Sequence, residues 1–128
     1  MTQQNLKDLE TIKDHYTYDA QSRQAIEEMA ELTQAINKFW RKEMNCGYHL
    51  SDTDKDKDHR EHIAEEIADV YICLKQMEMF LNIGESVENY IDYKIDRQLK
   101  RIEKSESKTS GMCTKDSAYY KAIMDEIG

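Results

Sequence analysis

Not one of the 128 residues is proline, and only four are glycine. Proline removes a helix hydrogen bond and clashes with the preceding turn, and glycine costs about 1 kcal/mol in a helix interior, so these two residues punctuate most chains. A chain with so few breakers, whose apolar residues recur at three- and four-residue spacing, is expected to be almost entirely helical. The expected fold class is therefore all-α, a single bundle of helices. The length suits one modest core that oligomerisation would help to complete.

A first helix is predicted over Leu6–His15, with Leu6, Leu9 and Ile12 at helical spacing. A second, capped by Asp19 or Ser22, runs to about Glu43, before Asn45 and Gly47. Tyr48 to Lys57 is polar and without periodicity, and reads as a mobile loop. Asp58 with Glu61 three residues on has the form of a capping box, opening a third helix that continues to Asn82 until Gly84 breaks it. Ser86 starts a fourth helix that reaches about Lys104. Ser105 to Gly111 reads as a linker, and Asp116 to Ile127 as a short helix with Tyr119, Tyr120, Ile123 and Ile127, suited to docking on a partner subunit. The main helical domain is accordingly placed at 1–106, with the linker and terminal helix at 107–128.

Two of these helices carry the same acidic signature, Glu28-Met29-Ala30-Glu31 and Glu66-Ile67-Ala68-Asp69, 38 residues apart. At about 100° per residue, carboxylates at i and i+3 lie on one side of a helix and can converge on a shared ligand. Ala25, Met29, Leu32, Ile36 and Phe39 form the apolar face of one helix; Glu28 intrudes on its edge, Glu31 sits at the border and Glu27 points outward. Ile63, Ile67, Val70, Leu74 and Met77 do the same on the other, with Glu66, Asp69 and Glu65 in the equivalent places. Four carboxylates facing a bundle interior repel one another and lose hydration, at several kcal/mol per ion, unless something neutralises them. A divalent cation does so. With oxygen ligands and no His or Cys at matching positions, Mg²⁺ or Mn²⁺ is the expected metal. The bland alternative is a solvated acidic shoulder on each helix.

A net charge of −8 argues against binding a nucleic acid polymer, which requires Lys and Arg to neutralise phosphates, but not against a small phosphorylated ligand recruited by a metal. No apolar run approaches the roughly 20 residues that span a bilayer, and the first residues lack a signal peptide's apolar core, so no membrane association and a cytoplasmic location are expected. Cys46, Cys73 and Cys113 form no disulfide framework and are expected to be reduced. On the fourth helix Val87, Ile91, Gln98 and Ile102 mark the core side, and Tyr90, Lys94, Arg97 and Arg101 form a stripe along one flank. Its three cations either face a polyphosphate or make an ordinary basic face paired with Asp92, Asp96 or Glu103. Cys46-x-x-His49 with His59-x-x-His62 is a weak zinc pattern with a single thiolate. The Glu-x-x-His pairs of a di-iron bundle and a glycine-rich phosphate loop are both missing.

Glu27-Glu28-x-x-Glu31 followed by Glu66-x-x-Asp69 on consecutive helices resembles the MazG-like nucleoside triphosphate pyrophosphohydrolases, relatives of the dimeric dUTPases and dCTP pyrophosphatases. The resemblance spans roughly Asp14 to Arg101. It takes in His15-Tyr16 with Gln21, Ala35-Ile36-x-Lys38-x-x-Arg41 and Tyr93-Lys94-x-x-Arg97. The 34 residues between Glu31 and Glu66 exceed what is usual in that family, and the excess lies in the Cys46 to Lys57 loop. What the resemblance implies is a four-helix MazG-type fold and hydrolysis of a (d)NTP between the α and β phosphates to a (d)NMP and pyrophosphate. By the same resemblance Glu28, Glu31, Glu66 and Asp69 would hold Mg²⁺, with Glu27 and Glu65 orienting a ligand or water beside them. Lys38, Lys94, Arg97 and Arg101 would contact phosphate, Tyr16, Gln21 and Trp40 would meet the base, and the chain would form a homodimer or homotetramer. The rival from another class is a non-enzymatic helical interaction module, in which charged stripes set helix pairing and the carboxylates stay solvated.

Overall fold

The computed structural model describes residues 1–41 and 54–108, and every element among them is helical: α1 (Gln3–His15), α2 (Tyr18–Phe39), α3 (Asp54–Leu81) and α4 (Gly84–Lys108). No helix among the described residues is long and apolar enough to cross a membrane. Cys46, His49, Cys113, the segment Tyr48 to Thr53 and the terminal stretch Asp116 to Ile127 lie outside the described residues.

Threonines open the first two helices. Thr2 and Thr17 sit in extended backbone, and their hydroxyl oxygens accept from the N–H groups of Asn5 at 3.0 Å and Ala20 at 3.2 Å. The cap of α2 is therefore Thr17, not Asp19 or Ser22. Asp19 lies in the first turn, where a negative charge favours the positive end of the helix, and Ser22 donates back to the Asp19 carbonyl at 3.0 Å. With Thr2 as its cap, α1 starts ahead of the predicted Leu6. Trp40 and Arg41 widen into a π turn, so regular α2 stops short of Glu43.

The bounds of α3 and α4 also correct the sequence reading. Because α3 begins at Asp54, Asp58 is interior to the helix and caps nothing. At its other end the left-handed residue is Asn82 (φ 55°), and the Ile83 N–H reaches back to the Glu78 carbonyl at 3.1 Å. That closure ends the helix, with asparagine accepting the left-handed conformation that most side chains avoid. Gly84 is not the breaker; it is the first residue of α4. α4 then continues through Ser105 to Lys108, where a linker was expected.

Packing divides the chain into two compact units, Met1–Gly84 and Glu85–Gly128. In the first, α2 and α3 form an antiparallel hairpin. The Tyr18 ring meets Phe80 at 5.9 Å, Gln21 bonds Gln76, and Phe39 meets His59 at 5.9 Å, so partners climb one helix while descending the other. The seam on α2 runs Gln21, Ala25, Glu28, Leu32, Ala35 and Phe39, alternating steps of four and three; on α3 it runs His59, Ile63, Glu66, Val70, Cys73, Gln76 and Phe80. This line is rotated from the predicted apolar face. Met29 and Ile36 are 41% and 49% exposed, and Leu74 is 40% exposed, while Ala25 and Ala35 are buried. Small alanines on the contact line let the helices approach, which turns the bulkier Met29 and Ile36 onto a flank and brings Glu28 toward the seam.

α1 packs on the C-terminal half of α3, burying Leu9 and setting the Lys13 ammonium 5.6 Å from the centre of the Phe80 ring. Gln76 is the largest fully buried side chain among the described residues, and its carbonyl oxygen accepts from the Gln21 amide at 2.7 Å. Gln76→Ala would leave a cavity and strand that amide, so we expect a loss of about 2–4 kcal/mol in urea unfolding. A loss below about 0.5 kcal/mol would show that the pair contributes nothing to holding the hairpin.

Within the second unit, the described element is α4. The Arg97 guanidinium lies 5.4 Å from the Tyr93 ring centre and Lys100 pairs with Asp96 at 3.0 Å. Of its predicted core side, Val87, Gln98 and Ile102 are half-buried, but Ile91 is 44% exposed.

Candidate metal centre

The antiparallel hairpin brings the middles of α2 and α3 together, and both middles are acidic. Glu28 reaches the seam from α2 and Glu66 from α3, and Glu31 lies one turn beyond Glu28 on the same side. Carboxylate oxygens of Glu28, Glu31 and Glu66 lie within 4.8 Å of one another. Glu66 is only 8% exposed. Its Oε2 and the Oε2 of Glu28 are both buried with no hydrogen-bond partner among the described residues.

Unpartnered buried carboxylate oxygens are costly, because burial removes hydration and a neighbouring anion adds repulsion. Glu31 registers that repulsion although it is exposed. The charge of Glu28 is the largest influence holding its carboxyl above the usual carboxylate range. Partial desolvation, the charge of Glu66, the closeness of the Glu28 carboxylate and the charge of Asp69 push the same way. The neighbouring carboxylates thus disfavour a further negative charge on Glu31, a repulsion that a bound cation would offset.

Asp69 stands one turn from Glu66 but outside the converging three. The seam of α3 follows residues 66, 70 and 73, which leaves Asp69 half-buried on the flank. Its charge still reaches the site, raising Glu31 and contributing to the shift at Cys73. The Cys73 thiol is free and buried; burial first, then Glu28 and Asp69, push its pKa up, so it stays protonated and unreactive at neutral pH.

Gln24 was not visible as a site residue in the sequence. Its amide donates to Glu28 Oε1 at 2.6 Å, and the only sequence signal is its position one turn before Glu28. Gln21, expected at a base, is half-buried and donates from its amide to Gln76. This follows from its place on the seam rather than at an open surface. Tyr16 and Trp40 remain 50% and 53% exposed, Tyr16 with its ring edge-on to His15 at 4.8 Å. Glu27 and Glu65 are exposed, as the wheel predicted. Lys38 is exposed on α2, whereas Lys94, Arg97 and Arg101 belong to α4 in the second unit. Of the weak zinc pattern, His59 is half-buried against Phe39 and His62 is exposed.

The donors of the cluster are all carboxylate oxygens, which suits a hard divalent cation of the Mg²⁺ or Mn²⁺ type. A separate cleft of about 390 Å³ between α1 and α3 contains Lys7, Glu10, Lys75 and Glu78 and none of these carboxylates. Its charges balance internally, with Lys75 3.4 Å from Glu78. No protein-family model matches the chain, and no curated protein or solved structure matches it either.

Proposed function

We propose that this protein is a Mg²⁺-dependent nucleoside triphosphate pyrophosphohydrolase of the MazG-like type, cleaving a (d)NTP between the α and β phosphates. The observation that carries the proposal is the convergence of Glu28, Glu31 and Glu66 across the hairpin, with one oxygen each of Glu28 and Glu66 buried and unpartnered. Glu28, Glu31 and Glu66 would hold Mg²⁺, or Mn²⁺ in its place, with Asp69 adding negative charge beside them. The bound cation would supply Lewis-acid polarisation of phosphate oxygens. Lys38, two turns past Glu31 on α2, is the cation of the first unit assigned to phosphate. Trp40 and Tyr16 offer exposed rings for a base.

A second copy of the chain would cover Ile26, Met29 and Ile36 on α2 and Tyr71 and Leu74 on α3, all between 40% and 63% exposed. The reduced Cys73 thiol suits the cytoplasm, where the proposal places the enzyme.

The test is pyrophosphate release from a panel of common and modified NTPs and dNTPs, with Mg²⁺ and then with EDTA, on protein whose mass has been read by sedimentation. Metal-dependent release with a monophosphate product is expected from at least one of them. Glu31→Gln should abolish turnover, by about 100-fold or more, and Asp69→Asn, which removes only charge beside the trio, should lower it less, while the helical circular dichroism stays intact in both. Full activity in the Glu31 variant overturns the carboxylate model, and a monomeric mass removes the dimer while leaving the chemistry standing. No release from any nucleotide would favour the non-enzymatic interaction module.

A further inference from the structure

We infer that Gln24 is a positioning residue that makes Glu28 a one-oxygen ligand and thereby sets the metal preference of the site; the inference rests on the metal-centre reading above. The Gln24 amide holds Glu28 Oε1 at 2.6 Å, and the other oxygen, Oε2, is the buried one with no partner among the described residues. One oxygen is occupied by the protein and the other is left for a ligand.

The type of donor matters. A lysine or arginine at this place would hold the carboxylate equally well but would cancel part of the charge that attracts a cation. An uncharged amide fixes the orientation and leaves the full negative charge on Glu28. Gln24 lies one helical turn before Glu28 and is itself exposed, so its side chain holds the carboxylate from the solvent side of α2 without entering the seam.

One-oxygen carboxylate ligands favour Mg²⁺, which demands near-octahedral geometry at about 2.0–2.1 Å, whereas Ca²⁺ takes two-oxygen carboxylates in larger, irregular shells. Releasing Glu28 Oε1 would let the carboxylate rotate and offer both oxygens. Loss of the amide should therefore weaken Mg²⁺ binding more than Ca²⁺ binding, shifting the ratio of the two affinities and not merely their size.

Gln24→Met tests this, since methionine keeps the length and helix propensity of glutamine without its donor. Mg²⁺ alone and Ca²⁺ alone would be titrated by calorimetry into the nucleotide-free 128-residue chain, wild type and variant. The expected result is Mg²⁺ affinity lowered about 10–100-fold, the range for losing a partner that orients a metal ligand, with Ca²⁺ affinity lowered less than threefold. Wild-type binding of Mg²⁺ with an unchanged Mg²⁺/Ca²⁺ ratio in the variant overturns the inference and leaves the metal centre standing, whether both affinities stay or fall together. Failure of the wild type to bind either ion overturns both.

Discussion

Glu66→Gln is expected to remove turnover, by about 1,000-fold or more, and at the same time to make the metal-free protein harder to unfold. The two effects have one cause. Glu66 is 8% exposed, and its Oε2 has no hydrogen-bond partner among the described residues, so its charge is a cost to the folded state until a cation arrives. Replacing it with a neutral side chain of the same shape relieves that cost, which for an uncompensated buried carboxylate is about 1–3 kcal/mol. The same replacement removes a ligand from the trio with Glu28 and Glu31. Urea unfolding in EDTA and pyrophosphate release in Mg²⁺ read the two halves separately. A variant that is less stable without metal, or that keeps its turnover, would show that Glu66 serves packing instead.

Saturating Mg²⁺ should raise the melting temperature of the wild type by on the order of 10 °C. A ligand at 100 times its Kd that binds only the folded state adds about 2.7 kcal/mol, and a domain of this size gains several degrees per kcal/mol. The effect should depend on pH in a direction that Glu31 dictates. Its carboxyl is raised above the ordinary value in the folded chain, chiefly by the charge of Glu28, so the folded state holds a proton at pH values where the unfolded chain has lost it. Its ionisation penalty is absent below the ordinary carboxylate pKa near 4.5 and fully present once pH has risen above the raised value. Metal-free protein should therefore gain stability from this group as pH falls from 7 into that window. Mg²⁺, which competes with the proton, should stabilise more at pH 7 than at pH 5. Thermal melts with Mg²⁺ and with EDTA at the two pH values check both signs, and a Mg²⁺ effect larger at pH 5 would contradict the assignment of Glu31 to the site.

Much of the helical plan was legible because it depends on local chemistry. The scarcity of proline and glycine, and the three-and-four spacing of apolar residues, depend on nothing beyond a few turns of chain. The ends were less legible. Thr17 outcompeted Asp19 and Ser22 as a cap, and Asn82, not Gly84, took the left-handed position, because several residues in each stretch were chemically able to do so. The acidic pairs were legible as well, since i and i+3 share a side of any helix. Which carboxylates meet was not: a wheel gave Asp69 the same standing as Glu31, and the seam through Glu66, Val70 and Cys73 left Asp69 on the flank.

The sequence by itself determined that the chain is helical and that two of its helices carry carboxylates in register, since both follow from a periodicity internal to each helix. Only the tertiary structure decided which way each helix is turned. The antiparallel pairing of α2 and α3 chose Ala25 and Ala35 over Met29 and Ile36 for the contact line, brought Glu28, Glu31 and Glu66 within 4.8 Å, and drew Gln21 to Gln76. That choice depends on how two surfaces fit one another across the hairpin, a relation between residues dozens of positions apart that no single-helix pattern contains.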